Sequence, residues 1–179
     1  MKQKSMDSRF HGFPIPWRPG SMASRFQVQK TPPPMNISYR SSDWRERILS
    51  NLAETPFTIT INGESFRCAS VEGFWQGLKS KDERREYVFG LSGLAAKNAG
   101  RGKQSASFQI AGLTIRVGGS QHEELIKEAI RQKVLQNERV AEALKSSTGG
   151  ITHRVPARTK PIFKMEKLVL AVRRELFGH

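Results

Sequence analysis

Three side chains of different chemistry recur at helical spacing near the middle of the sequence. Glu72, Gln76 and Lys79 stand at i, i+4 and i+7, so a helix would align a carboxylate, an amide and an ammonium on one face. An apolar stripe begins roughly 100° away and predicts that this helix is docked in a core. The stripe consists of Val71, Phe74, Trp75 and Leu78. The polar row would form one wall of a small pocket at the edge of the core, although a solvated helix face with an ordinary Glu–Lys pair has the same spacing.

A second group that could bind an anion is the turn Gly-Arg-Gly-Lys at residues 100–103. The backbone amides of a glycine-rich turn, together with the guanidinium of Arg101, suit a diphosphate. A turn of this composition is equally ordinary as the end of a helix. The residues alone leave both interpretations open.

Local patterns predict the elements that position these groups. Residues 57–61 alternate between apolar and polar, Asn62-Gly63 is a strong hairpin signal, and residues 65–68 form the returning strand. This hairpin delivers the chain to the central helix, which Ser70 can cap. Further helices are predicted at 44–49, from Ser80, at 92–99, at 121–135, after Asn137 and at 161–177, and short strands are predicted at 36–39 and within 108–117. In the helix from Ser80, Tyr87 is predicted to face inward, and in the helix over 121–135, His122 is predicted to face solvent. The predicted fold is α+β, a mostly helical single domain with a small β-hairpin or short sheet.

The composition restricts the class of protein. With 179 residues the chain is long enough for one domain with a proper core. Thirty Lys and Arg against sixteen Asp and Glu leave a net charge of +14, which favours a polyanionic partner such as DNA, RNA or a phosphorylated small molecule, although many basic proteins are merely soluble. Cys68 is the sole cysteine, which excludes an intrachain disulfide and favours a reducing compartment. A cytoplasmic location is expected, because the sequence has neither a membrane-spanning apolar run nor a signal-peptide core.

Positive charge concentrates in two segments. Residues 1–34 contain six basic residues, one acid and six prolines with no helical or strand period, which is typical of an extended or disordered arm. Residues 153–164 contain four basic residues and no acid. These four are Arg154, Arg158, Lys160 and Lys164. Both segments are candidate surfaces for DNA or RNA.

Residues 70–79, Ser-Val-Glu-Gly-Phe-Trp-Gln-Gly-Leu-Lys, resemble the S-V-E-H-x-F-Q-A-x-K helix of the NADAR family, the YbiA-like N-glycosidases linked to ADP-ribose and related ribosides. Upstream, the segments similar to the family's opening strand, S-N-F motif and hairpin are Ile37-Ser38-Tyr39, Ser50-Asn51-Leu52, Pro56-Phe57 and Asn62-Gly63. Downstream, the segments similar to A-x-x-x-G-R and K-F-x-Q-N…L…T-G are Ala95-Ala96-Lys97 with Gly100-Arg101, and residues 133–137 with Leu144 and Thr148-Gly149. The resemblance covers about residues 35 to 150 and implies a YbiA-like domain over 35–179.

This resemblance implies an N-glycosidase that hydrolyses the ribose–base bond of ADP-ribosylated guanine or a related phosphoriboside, without a cofactor or metal. Glu72 corresponds to the glutamate treated as catalytic in the family. Cleavage develops positive charge on the sugar, and a carboxylate in a dry pocket can either stabilise this charge or accept a proton from the attacking water. The implied substrate-binding residues are Lys79 and Arg101 for phosphate, Asn51 and Gln76 for ribose or base, Lys133, and Trp75, which either stacks on the substrate or fills the core.

The chain departs from the family pattern in two places. It has no tryptophan from Phe108 to Gln121 and no acid shortly after Thr148-Gly149, where His153 stands near the position of the second carboxylate. His153 could take over acid–base chemistry, because imidazole titrates near neutrality, or it could be one more basic residue of 153–164. Loss of one of two acids typically lowers the rate by orders of magnitude. Two alternatives therefore stay open: a catalytically impaired ADP-ribose or nucleotide-binding protein, and a basic nucleic-acid-binding protein on the same fold.

Overall fold

The computed structural model describes residues 32–102, 105–155 and 160–179. Within these ranges the chain forms seven helices and three two-stranded sheets. In chain order they are β1 (Met35–Asn36), α1 (Trp44–Leu49), β2 (Phe57–Ile61), β3 (Glu64–Cys68), α2 (Val71–Leu78), α3 (Asp82–Phe89), α4 (Gly93–Ala99), β4 (Ser107–Ile110), β5 (Leu113–Arg116), α5 (Ser120–Leu135), α6 (Glu138–Ser146), β6 (Ile151–Thr152) and α7 (Met165–Phe177). The predicted α+β class, mostly helical with a small hairpin, is confirmed.

The β2–β3 hairpin forms where the alternating pattern predicts it. Its strands are antiparallel, and Phe57 pairs with Cys68 at the open end. Asn62 and Gly63 make the turn with φ of 47° and 85°, the left-handed region that Asn tolerates and Gly adopts freely. Alternate residues of β2 are buried. The hairpin thereby places one face on the core and leads directly into α2.

Helix α2 is the centre of the core. The side chains of Val71, Phe74 and Leu78 are almost completely buried. Ser70 caps the helix, since its Oγ accepts a hydrogen bond from the Gly73 amide at 2.9 Å. The predicted apolar stripe and cap of this helix are both confirmed.

Helix α3 packs into a notch on α2, and this contact corrects its predicted orientation. A Cβ at Gly77 would lie 2.3 Å from Phe89 Cδ1, so the glycine makes room for the Phe89 ring. Phe89 is therefore buried, whereas Tyr87, predicted to face inward, is 64% exposed. The helix begins after Lys81, with no side-chain cap, rather than at Ser80.

Two short strands that are distant in sequence join the ends of the described domain. Strand β1 pairs in parallel with β6, and the Met35 amide donates to Gly150 O at 2.8 Å. The strand predicted over 36–39 is shorter than expected because Ser38 turns the chain: its amide donates to Glu46 O at 3.3 Å. The arm predicted for residues 1–34 lies outside the described residues, apart from the exposed prolines 32–34.

The last helix differs from its predicted range of 161–177. It begins at Met165, because the segment before it inserts Phe163 into the core. The Phe163 ring lies 5.7 Å from the Trp75 ring and 5.0 Å from the His122 ring, measured between centroids. Of the helices in the described ranges, none combines the length and apolar character needed to cross a membrane.

Candidate functional site

The predicted row on α2 forms a continuous set of hydrogen bonds. Gln76 Nε2 donates to Glu72 Oε1 at 2.8 Å, and Lys79 Nζ donates to Gln76 Oε1 at 3.0 Å. Glu72 and Lys79 are half-buried, and Gln76 is buried. Among the described residues no hydrogen bond to Glu72 Oε2 is found. The Gln76 amide therefore fixes the positions of the carboxylate and the ammonium relative to each other.

The Lys79 ammonium lies where several groups meet. Burial lowers its pKa, and the negative charge of Glu72 partly offsets this effect. Its Nζ also stands 5.2 Å from the centroid of the Trp75 ring, in cation–π range. The ammonium of Lys79 is thus partly shielded from solvent and lies between a carboxylate and an aromatic face.

Arg101 reaches the row through its neighbour in sequence. Gly100 packs directly on the Gln76 side chain, and a Cβ at Gly100 would lie 1.6 Å from Gln76 Oε1. The Arg101 amide donates to Asn98 O at 3.1 Å, which closes the turn, while the Arg101 side chain is exposed. The turn predicted over 100–103 therefore lies against the row, although Lys103 is outside the described residues.

Asn51 and Lys133 approach the row from behind. The Glu72 amide donates to Asn51 O at 2.9 Å, and Lys133 Nζ donates to Ser50 O at 2.8 Å. Lys133 is only 2% exposed, and burial lowers its pKa to about 7. Its contact in this structure is with the Ser50–Asn51 backbone, which in turn contacts the first turn of α2. Lys133 is therefore placed to position this segment.

An aromatic cluster around His122 adds a feature that the sequence interpretation missed. His122, predicted to face solvent, is 2% exposed, and its ring lies 4.8 Å from the ring of Trp75 and 5.0 Å from that of Phe108. Trp75 itself is half-buried and packs against the core. A signal was present: His122 is in helical register with the buried residues Ile126, Ala129 and Lys133.

The imidazole of His122 is neutral in this environment. Burial, aided by the charge of Lys79, lowers its pKa to about 4. The Gly118 amide donates to His122 Nδ1 at 3.1 Å, so Nδ1 is the acceptor and Nε2 carries the proton. His122 can therefore pack against Trp75 without bringing a second positive charge next to Lys79.

The other predicted residues lie apart from the row. His153 is half-buried at the end of β6, and none of the hydrogen bonds found among the described residues links it to Glu72, Gln76 or Lys79. Arg154 is exposed, and its amide donates to Asn36 Oδ1 at 3.3 Å. Lys160 and Lys164 are exposed, and Arg158 lies outside the described residues. The roles predicted for His153 and for the basic segment 153–164 stay predictions.

This arrangement suits chemistry at a centre that becomes positively charged. A half-buried carboxylate with one oxygen held by Gln76 is pre-oriented, and such a group stabilises developing charge better than a mobile one. Within residues 32–102, 105–155 and 160–179, no three His, Cys, Asp or Glu side chains are grouped so that they could hold a metal ion.

Comparison with known proteins gives one family and one fold. Residues 43–172, which include the whole row, match the family described as bacteriophage protein GP30.3. The chain is 34% identical over 113 residues to an uncharacterized 17.1 kDa protein of the Gp30-rIII intergenic region of Enterobacteria phage T4, covering 60% of this chain and 72% of that protein. Its fold is similar to the NMR structure of the E. coli protein YbiA, with a TM-score of 0.57 and 19% identity over 86% of this chain and 90% of that one. The YbiA-like fold is thus confirmed, and the NADAR resemblance is supported by the fold alone.

Proposed function

The chain belongs to the bacteriophage protein GP30.3 family, and we propose that this member is an N-glycosidase that hydrolyses the ribose–base bond of ADP-ribosylated guanine or a related phosphoriboside. The observation that carries the proposal is the half-buried Glu72 carboxylate, with Oε1 held by Gln76 and a half-buried ammonium at the other end of the same amide. The YbiA-like fold adds support, since the sequence resemblance aligns Glu72 with the glutamate treated as catalytic in that family.

The proposed reaction is a hydrolytic substitution at the anomeric carbon. The C1′–N bond breaks, its electron pair leaves with the nucleobase, and positive charge develops on C1′ and the ring oxygen. Glu72 stabilises this charge and accepts a proton from the water whose oxygen bonds to C1′. The proton then passes to solvent or to the departing base. The products are the unmodified base, which stays in the oligonucleotide when the substrate is an ADP-ribosylated guanine of nucleic acid, and a sugar with a free hydroxyl at C1′, which is ADP-ribose for that substrate.

The neighbouring residues receive distinct roles in this proposal. Lys79 and the exposed Arg101 attract the phosphate groups. Gln76 acts as a positioning residue, because both polar ends of its amide are engaged with Glu72 and Lys79. Asn51 is assigned to the ribose or the base, because its carbonyl oxygen accepts a hydrogen bond from the Glu72 amide and it therefore lies next to the first turn of α2. The half-buried Trp75 is assigned to stacking.

Release of ADP-ribose from defined substrates tests this function. The full chain is incubated with a guanine oligonucleotide carrying ADP-ribose, with free ADP-ribosylated guanosine and with NAD, and the products are separated by chromatography. We expect ADP-ribose release by the wild type, its loss in Glu72→Gln and its retention in Glu54→Gln, an exposed carboxylate of the same charge. Absence of release from every substrate, or equal release by Glu72→Gln, contradicts the proposal. ADP-ribose binding without turnover would favour the catalytically impaired alternative.

A second function, nucleic-acid binding, is favoured by the net charge of +14 and by the exposed Arg154, Lys160 and Lys164. It predicts an affinity for DNA or RNA that falls steeply with salt, because each neutralised phosphate releases a counterion. Fluorescence anisotropy at several salt concentrations, with the wild type and with the triple alanine variant at these positions, measures this slope. Affinity that does not change with salt argues against this second function.

A further inference from the structure

A cavity adjoins the polar row at the C-terminal end of α2, where Leu78 and Lys79 line it. It measures about 540 Å³, which lies within the usual range of small-molecule sites. It lies between the α2–α3 connection and the β4–β5 hairpin. Its polar lining includes Lys79, Asp82, Arg85, Ser107, Gln109 and Thr114.

Lys79 belongs to both the row and this cavity. Its Nζ donates to Gln76 Oε1 at 3.0 Å, and the same residue lines the cavity. From Glu72 to Lys79 the helix rises roughly 10 Å, at about 1.5 Å per residue. Phe108 lines the cavity as well and contacts His122 of the aromatic cluster, at 5.0 Å between ring centroids. One extended ligand could therefore lie along the row from Glu72 and enter the cavity past Lys79.

Arg85 gives the cavity a buried cation with spare hydrogen-bonding capacity. Its side chain is 11% exposed; it pairs with Asp82, whose side chain is 84% exposed, and its Nη2 donates to Ser80 O at 3.2 Å. Arg85 Nε is buried and is the one such side-chain N or O atom without a hydrogen-bond partner in the part of the chain that the structure describes. An unsatisfied buried donor is unfavourable, so its place beside a cavity requires an explanation.

The chemistry of the lining indicates the kind of ligand. Three cations, Lys79, Lys81 and Arg85, face two carboxylates, Asp82 and Glu83, one of which is already paired with Arg85. A phosphate group is favoured by this balance, since guanidinium and ammonium groups bind its oxygens. The hydroxyls of Ser107 and Thr114 and the amide of Gln109 add donors and acceptors of the kind that a ribose or an adenine needs.

We propose that this cavity binds the adenosine diphosphate end of the substrate while Glu72 acts at the ribose–base bond. The inference rests on the proposed function for the ligand's identity. Lys79 and Arg85 lie nearest the diphosphate, with a small shift of Arg85 bringing Nε to an acceptor oxygen. Ser107, Gln109 and Thr114 contact the adenosine. The cavity is thus the specificity site that separates ADP-ribosyl adducts from simple nucleosides.

Filling the cavity tests the inference independently of catalysis. Thr114→Trp and Gln109→Trp place a large ring in the cavity at exposed positions of the hairpin, and Thr60→Trp makes the same change on the exposed face of the other hairpin. Calorimetry with ADP-ribose and with ribose 5-phosphate then compares a long and a short ligand. We expect the two cavity variants to bind ADP-ribose at least about tenfold more weakly than the wild type and Thr60→Trp. Binding of ribose 5-phosphate should be unchanged.

The outcomes separate this inference from the proposed function. If the wild type binds ADP-ribose and the cavity variants do not, the inference stands. It stands even where the wild type hydrolyses none of the ADP-ribosylated substrates, and in that case the glycosidase proposal alone fails. If both cavity variants are folded by circular dichroism and bind ADP-ribose like the wild type, the inference is overturned. It is overturned as well if the wild type binds ADP-ribose no more tightly than ribose 5-phosphate.

Discussion

Gly100 lies so close to Gln76 that a Cβ at Gly100 would stand 1.6 Å from Gln76 Oε1. This contact joins the turn that carries Arg101 to the row Glu72–Gln76–Lys79. The glycine is needed here for space and not for its backbone angles, since its φ of −95° suits any residue. The alignment of the carboxylate therefore depends on a residue that has no side chain.

Gly100→Ala should displace Gln76 and with it both partners. We expect the free energy of unfolding to fall by about 1–3 kcal/mol, as is typical of overpacking, and hydrolysis of the ADP-ribosylated substrate to slow. Chemical denaturation and product chromatography measure the two effects. Gly90→Ala is the matched control, since a Cβ there would meet its nearest atom at 3.4 Å, an ordinary contact. Equal stability and activity of the two variants would contradict the proposed role of Gly100.

Gln76→Met should show whether Gln76 positions Glu72 for the reaction or only stabilises the fold. Methionine keeps the volume of the side chain but removes the hydrogen bonds to Glu72 and Lys79. We expect kcat to fall on the order of 100-fold, because small displacements of a catalytic group have effects of this size, while circular dichroism and the unfolding midpoint change little. Exposed Gln121 lies on another element and is not part of the cavity lining, and Gln121→Met is the control for kcat. A kcat equal to that of the wild type would show that Glu72 needs no support from Gln76.

Lys133 should make the free energy of unfolding depend on pH in the neutral to alkaline range. Its pKa is lowered from 10.5 to about 7 in the folded protein, so between these values the unfolded chain holds a proton that the folded chain has released. The free energy of unfolding should therefore rise with pH across this window. Denaturation at pH 7 and pH 9 measures it, and Lys133→Met should show a smaller rise than the wild type. The same rise in Lys133→Met as in the exposed control Lys97→Met would count against this account.

His122 should make stability depend on acidic pH in the same direction. Its pKa is lowered from 6.5 to about 4, so the unfolded chain binds more protons between these values and stability falls as pH decreases through them. His122→Phe keeps an aromatic ring against Trp75 and should reduce this loss. Comparing unfolding midpoints at pH 4.5 and pH 7 for this variant and for His179→Gln, an exposed histidine, measures the difference. An unchanged acid sensitivity in His122→Phe would refute the assignment.

The parts of the fold that the sequence predicts are those set by near neighbours. The turn at Asn62-Gly63, the Ser70 cap and the apolar stripe of α2 each depend on residues a few positions apart. The pairing of β1 with β6 joins residues more than a hundred positions apart, and two-residue strands have no alternation to detect. Pairings of this kind are set by tertiary contacts, which a local sequence pattern does not show.

Two corrections have the same physical origin. Helix α7 begins at Met165 because Phe163 is taken into the aromatic cluster, which no local helix signal at Pro161 records. Tyr87 is exposed because the notch at Gly77 accepts Phe89 and thereby sets the rotation of α3. In each case a single buried ring overrides the local pattern.

The candidate site was partly predictable for a similar reason. Residues on one helix, such as Glu72 and Lys79, are aligned by the helix itself, so their spacing suffices. The positions of Gly100 and Lys133 depend on how other elements pack against α2. The composition of the turn at 100–103 indicates an anion site without showing where the turn lies, and only the family resemblance points to Lys133. The helical period of α5 indicates a buried position for His122, whereas the polarity of its side chain favours solvent. The ring is buried because its environment keeps it neutral.

The most direct test of the central claim is the single-turnover rate of ADP-ribose release from an ADP-ribosylated guanine oligonucleotide, measured for the wild type and for Glu72→Gln at saturating enzyme. We expect a rate loss on the order of 1,000-fold in Glu72→Gln, with substrate affinity within about threefold of the wild type. A Glu72→Gln variant that releases ADP-ribose at the wild-type rate would contradict the proposed role of Glu72.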